Sequence, residues 1–98
     1  GFEATYARMV EAVGKKGDIL VGISTSGNSS NVVRAIMKAN ELGMTTVGFT
    51  GKNGGAMQDI CDIIICTPSD DTPRVQEAHI LVGHIICQLI EQEMFPDA

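Results

Sequence analysis

Asp18-Ile19-Leu20-Val21-Gly22-Ile23-Ser24-Thr25-Ser26-Gly27-Asn28-Ser29-Ser30 is the stretch whose reading decides the fold. It opens on a short continuous apolar run set between Gly17-Asp18 and a Ser-rich turn. That pattern predicts a strand over Asp18 to Ser24, buried on both faces of a parallel sheet. A helix follows from Asn28 to Leu42, capped by Ser29 or Asn28 and closed by Gly43 at the C′ position. Its inward face is traced by Val32, Val33, Ile36, Met37 and Asn40, with Ala35 and Ala39 permitting close approach.

The rest of the chain repeats the alternation. Phe2 to Val13 carries an apolar stripe at three- and four-residue steps (Phe2, Tyr6, Met9, Val10, Val13), which predicts a helix ending near Gly14. Thr45 to Thr50 is rich in β-branched residues and reads as a second strand. Gly51 to Gly55 is a turn, Ala56 to Ile60 a single helical turn, and Asp62 to Thr67 a third buried strand stopped by Pro68. Thr72 then caps a long helix with Pro73 at its first helical position, running to about Met94 before Pro96. Val75, Ala78, Val82, Ile85 and Leu89 mark one stripe, widened by Ile86 and Ile90. So broad a stripe predicts cover on more than one side.

Strands alternating with helices predict an α/β protein, a three-layer α-β-α sandwich around a parallel sheet. Ninety-eight residues make one domain, spanning 1–98, with no internal repeat. Three strands form a thin sheet with open edges. The chain also begins at Gly1-Phe2 without an initiator Met. Together these predict that N-terminal helices and the first strand or strands are lacking, or are supplied by a partner.

The net charge of -5 argues against a nucleic-acid partner, which needs a basic surface. No apolar run reaches the roughly 18–20 residues of a membrane span, and no secretory signal is visible, so a cytoplasmic protein is expected. Cys61, Cys66 and Cys87 are odd in number and match no zinc spacing; buried, reduced thiols are expected.

The chemistry concentrates in Ser24 to Ser30, between a strand's C-terminal end and a helix N-terminus. Ligands of open α/β sheets collect there. The helix start offers unpaired N–H groups and the positive end of its dipole, four Ser hydroxyls and Thr25 add neutral donors, and Gly27 lets the backbone approach an anion. This is a phosphate cradle without a lysine, although the same residues also make an ordinary capped turn. It is neither a Walker loop nor a dinucleotide fingerprint, so no nucleotide cofactor is expected. Lys52 could add charge from the neighbouring turn, though a solvated turn lysine is the plainer reading. The aspartates at 18, 59, 62, 70 and 71 mark element ends, and the Met residues fill the core.

Gly22-Ile23-Ser24-Thr25-Ser26-Gly27-Asn28-Ser29 resembles the signature loop of SIS (sugar isomerase) domains in its phosphoheptose isomerase (sedoheptulose 7-phosphate isomerase) form. Phe49-Thr50-Gly51-Lys52-Asn53-Gly54-Gly55, Arg74-Val75-Gln76-Glu77-Ala78-His79 and His84 agree with it. SIS domains of the glucosamine-6-phosphate synthase type usually carry an acidic residue where this chain has Asn28. The resemblance implies the C-terminal two-thirds of such a domain, a sandwich normally of five parallel strands, and a homotetramer. It implies that Ser24, Ser26 and Ser29 hold a sugar phosphate, that Thr25 contacts the sugar chain, that His84 is catalytic, and that Gln76 lines the site or, with His84, binds zinc. His79 has no such counterpart and reads as a core histidine with a satisfied hydrogen bond.

The implied reaction is aldose–ketose isomerisation of sedoheptulose 7-phosphate through an enediol, on the way to heptose for lipopolysaccharide or other surface glycans. Histidine suits such proton transfer. The family's partner acid, usually a Glu on an N-terminal helix, matches no residue here, so isomerase activity is not expected of these 98 residues alone. Gln76 and His84 lie eight residues apart, roughly 12 Å along a helix and about 80° round it. Their joint use is easier with one from each of two subunits. Two other functions compete: a non-catalytic SIS protein that binds a replication initiator, and a regulatory SIS domain sensing a sugar phosphate for a DNA-binding protein. In relatives of the first kind the position of His84 is typically not His.

Overall fold

The computed structural model describes residues 2–97, and the side chain of Phe2, placed on the first stripe above, lies outside that description. A 3-10 turn, Phe2–Ala4, leads into α1 (Thr5–Val13). Then come β1 (Ile19–Ile23), α2 (Ser30–Glu41), β2 (Thr45–Thr50), the one-turn α3 (Met57–Ile60), β3 (Ile63–Cys66) and α4 (Thr72–Met94). Asp71, not Thr72, is the N-cap of α4, with Pro73 inside the first turn as its fixed φ favours.

The sheet has the order β1-β2-β3 and is parallel throughout. Ile19 to Ile23 pair with Thr45 to Phe49, and Val47 to Thr50 with Ile63 to Cys66. Alternation along each strand therefore puts Leu20, Gly22, Thr46 and Gly48 on one face, and Ile19, Val21, Ile23, Val47, Phe49 and Ile63 on the other.

The first face is well covered. Gly22 leaves room for Ile36 and Val32 of α2, where a Cβ would come within 2.9 Å of Ile36 Cδ1. Val10 of α1 joins Ala35, Ala39 and Met44 in a core flanked by Leu20 and Leu42. Thr46, fully buried, receives a hydrogen bond from Asp62 N at 3.1 Å and gives its own N–H to Asp62 Oδ2 at 2.9 Å, tying the start of β3 to β2.

On the second face α4 covers only the end of β2, with His79 against Phe49. Ile19, Val21, Ile23 and Ile63 remain exposed, as do Ile80, Leu81, Ile85, Leu89 and Ile90 of α4. This corrects several expectations. Met37 and Asn40, expected on the inward face of α2, are exposed. Met9, Met37 and Met94 are exposed, and only Met44 and Met57 fill the core. The β3 strand, expected buried, has Ile63 and Cys66 exposed. The β1 strand is buried on one face only, and the broad stripe of α4 buries just Val75 and His79. Tyr6, Met9 and Val13 of α1 also stay exposed, because α2 meets that helix along Val10. The thiols depart similarly: Cys66 and Cys87 are exposed, on the sheet's outer strand and the uncovered side of α4. Among the described residues no helix is long and apolar enough to cross a membrane.

Candidate functional site

Three parallel strands deliver their following loops to one edge of the sheet, and those loops build the site. The ladder continues past the strands: Ser24 N donates to Phe49 O at 3.0 Å, Gly51 N to Thr25 O at 2.8 Å, and Thr67 N to Thr50 O at 2.9 Å. The loop after β1 is thereby held beside the loop after β2, and the loop after β3 beside both.

Ser24 is buried and is the hub of the first loop. Its Oγ accepts from Gly27 N at 3.2 Å and Ser29 N at 3.4 Å, and shares a hydrogen bond of 2.8 Å with Ser29 Oγ. Ser26 Oγ lies 3.4 Å from Ser24 Oγ and accepts from Asn28 N at 3.0 Å. Backbone N–H groups thus occupy hydroxyl lone pairs, which leaves hydroxyl protons as the groups to give outward, the polarity an anion requires. Ser29 is the N-cap residue of α2, with φ −60° and ψ 117°, but its hydroxyl makes no cap bond. It turns to Ser24 instead, so the capped-turn reading fails on this point.

Gly27 has φ +72°, and its neighbour explains it. A Cβ there would fall 2.5 Å from the Gly54 carbonyl carbon and closer still to the oxygen. The space belongs to the Gly54-Gly55 turn and not, as the sequence suggested, to an approaching anion. Met57 N donates to Gly27 O at 3.0 Å and Ala56 N to Asn28 Oδ1 at 2.8 Å. The two loops are one clamped unit.

Over this unit opens a cleft of about 720 Å³. Its walls include Ser24, Thr25, Ser26 and Ser29 from the first loop, Lys52 and Asn53 from the second, Ser69 and Asp70 from the third, and Thr72 and Gln76 from the start of α4. Lys52 is the one cationic side chain on these walls and Asp70 the one carboxylate. Five of the six residues named from sequence are therefore together. His84 is not with them: it is exposed two turns further along α4, beside Leu81 and Ile85. Lys52, plainly a solvated turn lysine by sequence, stands on the cleft wall, and Asn53, Ser69 and Thr72 join it without having been expected there. The signal was available, since every loop after a parallel strand must open on the same edge as the Ser-rich one.

A zinc ion shared by Gln76 and His84 of one chain does not fit. Eight helical residues separate them by roughly 12 Å, and only Gln76 reaches the cleft. Among the described residues no three His, Cys, Asp or Glu side chains gather as a ligand set.

The SIS domain family model matches residues 2–51, just over half of the chain, and the Ser-rich loop lies inside that match. The chain belongs to the SIS domain family. Within it, the chain is 55% identical over 94 residues to the phosphoheptose isomerase of Clostridium acetobutylicum, covering 96% of this chain and 48% of that protein. It is 53% identical over 94 residues to that of Aliarcobacter butzleri. The structure of the phosphoheptose isomerase from Francisella tularensis superposes with a TM-score of 0.91 at 40% identity, over 94% of this chain and 50% of the other. The one from Neisseria gonorrhoeae gives 0.89 at 42%, over 92% and 51%. The chain thus spans about half the length of these relatives, less than the two-thirds its motifs suggested. The α/β sandwich with a parallel sheet is theirs.

Proposed function

We propose that this chain is the phosphate-binding part of a cytoplasmic isomerase that interconverts sedoheptulose 7-phosphate and D-glycero-D-manno-heptose 7-phosphate, a precursor of lipopolysaccharide heptose. The observation that carries the reading is the Ser24-centred knot of hydroxyls on the floor of a cleft that Gln76 also lines. Identity near half to proteins named phosphoheptose isomerases supplies the sugar.

In this reading the phosphoryl oxygens accept from Ser26 and Ser29, Ser24 holds those two hydroxyls in place by giving its own proton within the knot, and Thr25 and Gln76 meet the sugar chain. The ketose gives up a proton from C1 to a base, the enediol forms, and a proton is returned at C2 while one hydroxyl proton moves between O1 and O2. His84 has suitable chemistry for this transfer. Its distance along α4 from the cleft leads us to assign it to the cleft of a second copy, within a homotetramer. The exposed apolar side of α4 around it suits such packing.

Two titrations test the assignment. Sedoheptulose 7-phosphate is expected to bind these 98 residues and unphosphorylated sedoheptulose to bind at least tenfold more weakly, since charge-assisted hydrogen bonds contribute about 1.5–3 kcal/mol each. Equal binding of the two sugars refutes the phosphate seat. In the longer protein, His84→Asn is expected to abolish turnover with binding retained; unchanged turnover removes His84 from the chemistry.

A further inference from the structure

Among the described residues His79 is the one buried titratable side chain, and the chemistry above does not use it. It is 4% exposed, with its ring 5.7 Å from that of Phe49. Its Nε2 lies 2.8 Å from Thr50 O. A carbonyl only accepts, so Nε2 carries the proton. Nδ1 has no partner among the described residues. Burying an unpaired nitrogen costs free energy that an aliphatic side chain would avoid. The bond at Nε2 is what sets this side chain apart from an aliphatic one of similar bulk.

That bond lands on a junction. Thr50 O also accepts from Thr67 N, which closes the ladder between β2 and β3 where both strands enter the cleft. One turn earlier on α4, Val75 is fully buried with its Cγ2 over Gly51. Val75 and His79, at i and i+4, fix the height and rotation of α4 on the end of β2. Gln76 falls between them, about 100° round from Val75, and lines the cleft.

We propose that His79 is a positioning residue: its Nε2–H···O=C bond to Thr50 sets the register of the long helix, so that Gln76 meets the sugar end of the ligand. The inference rests on the sugar-phosphate reading of the cleft. The Ser24 loop is held separately, by Met57 N on Gly27 O and Ala56 N on Asn28 Oδ1. Loss of the His79 bond should move one wall of the cleft and leave the anion seat in place.

The test compares two ligands on the same proteins. His79→Phe removes the donor and keeps a ring; His79→Leu is a second donor-free variant should the first fail to fold; His79→Gln restores an N–H near the place of Nε2. Affinity for sedoheptulose 7-phosphate, by calorimetry, is expected to fall about tenfold in the donor-free variants and to recover in His79→Gln. Affinity for inorganic phosphate, followed by the amide shifts of Gly27 to Ser29, is expected to stay unchanged in all of them. Gln76→Ala should show the same selective loss, and combining it with His79→Phe should add little. Equal weakening of both ligands, no weakening of either, or a folded His79→Gln as impaired as His79→Phe would overturn the proposal. Wild-type protein that binds neither ligand overturns the reading of the cleft itself, and this inference with it.

Discussion

Replacing Gly27 with alanine should damage this protein far more than the same change at Gly17, and the two positions differ in a way that isolates the reason. Both have positive φ, +72° at Gly27 and +91° at Gly17. A left-handed conformation costs an L-residue about 1–2 kcal/mol, so each variant carries that strain. At Gly17 a Cβ meets nothing within 4 Å. At Gly27 it would strike the Gly54 carbonyl, a backbone group that cannot swing aside. The loops must part, which sacrifices the bonds from Met57 N to Gly27 O and from Ala56 N to Asn28 Oδ1. At about 1 kcal/mol each, these bring Gly27→Ala to roughly 3–4 kcal/mol against about 1–2 for Gly17→Ala. Urea unfolding reads the difference as a shift in midpoint at constant slope. Phosphate affinity should fall with it in Gly27→Ala and stay unchanged in Gly17→Ala. Equal midpoints for the two variants would show that the loops are not clamped as described.

Three further outcomes follow from particular contacts. Ser24→Ala removes the acceptor of Gly27 N and Ser29 N, so sugar-phosphate affinity should drop about tenfold or more, and by more than in Ser26→Ala, whose residue is exposed; calorimetry of both variants decides. Thr46→Val keeps the shape of a fully buried side chain but strands Asp62 N, which should cost about 1–3 kcal/mol in thermal or urea unfolding. Burial, and next the charge of Asp62, push the Cys61 thiol above its ordinary value. The folded state thus favours the neutral thiol, a contribution complete below the unfolded thiol value and lost as pH rises through the raised one. Near pH 8, iodoacetamide should alkylate Cys61 more slowly than Cys66 and Cys87, with mass spectrometry locating the label; faster reaction at Cys61 would contradict its placement.

Element boundaries were readable where punctuation is chemical. Pro73 and Pro96 bracket α4, and Gly43, with φ +79°, ends α2 as its position predicts. Burial was less readable. Ile19, Val21 and Ile23 look like residues buried on both faces because composition says which side chains can be covered, not what is present to cover them. The Ser-rich loop is legible because its hydroxyls are contiguous in sequence. Its clamp is not, since Gly27 meets Gly54 and Asn28 meets Ala56 only after two strands have paired. For the same reason Ser69 and Thr72 gave no local sign of a place in the cleft. His79 is the core histidine its sequence position predicts, yet only its Nε2 is satisfied.

The stitching of the first two loops is dense, whereas among the described residues the third is joined to the end of β2 and its loop by two backbone bonds, from Thr67 N to Thr50 O at 2.9 Å and from Lys52 N to Ser69 O at 3.3 Å. Evolution and engineering therefore face unequal resistance around the rim. Insertions between Thr67 and Asp71 can reshape the far wall of the cleft while the Ser-rich loop stays as it is. Diversity among sequences sharing this scaffold should accordingly accumulate there first.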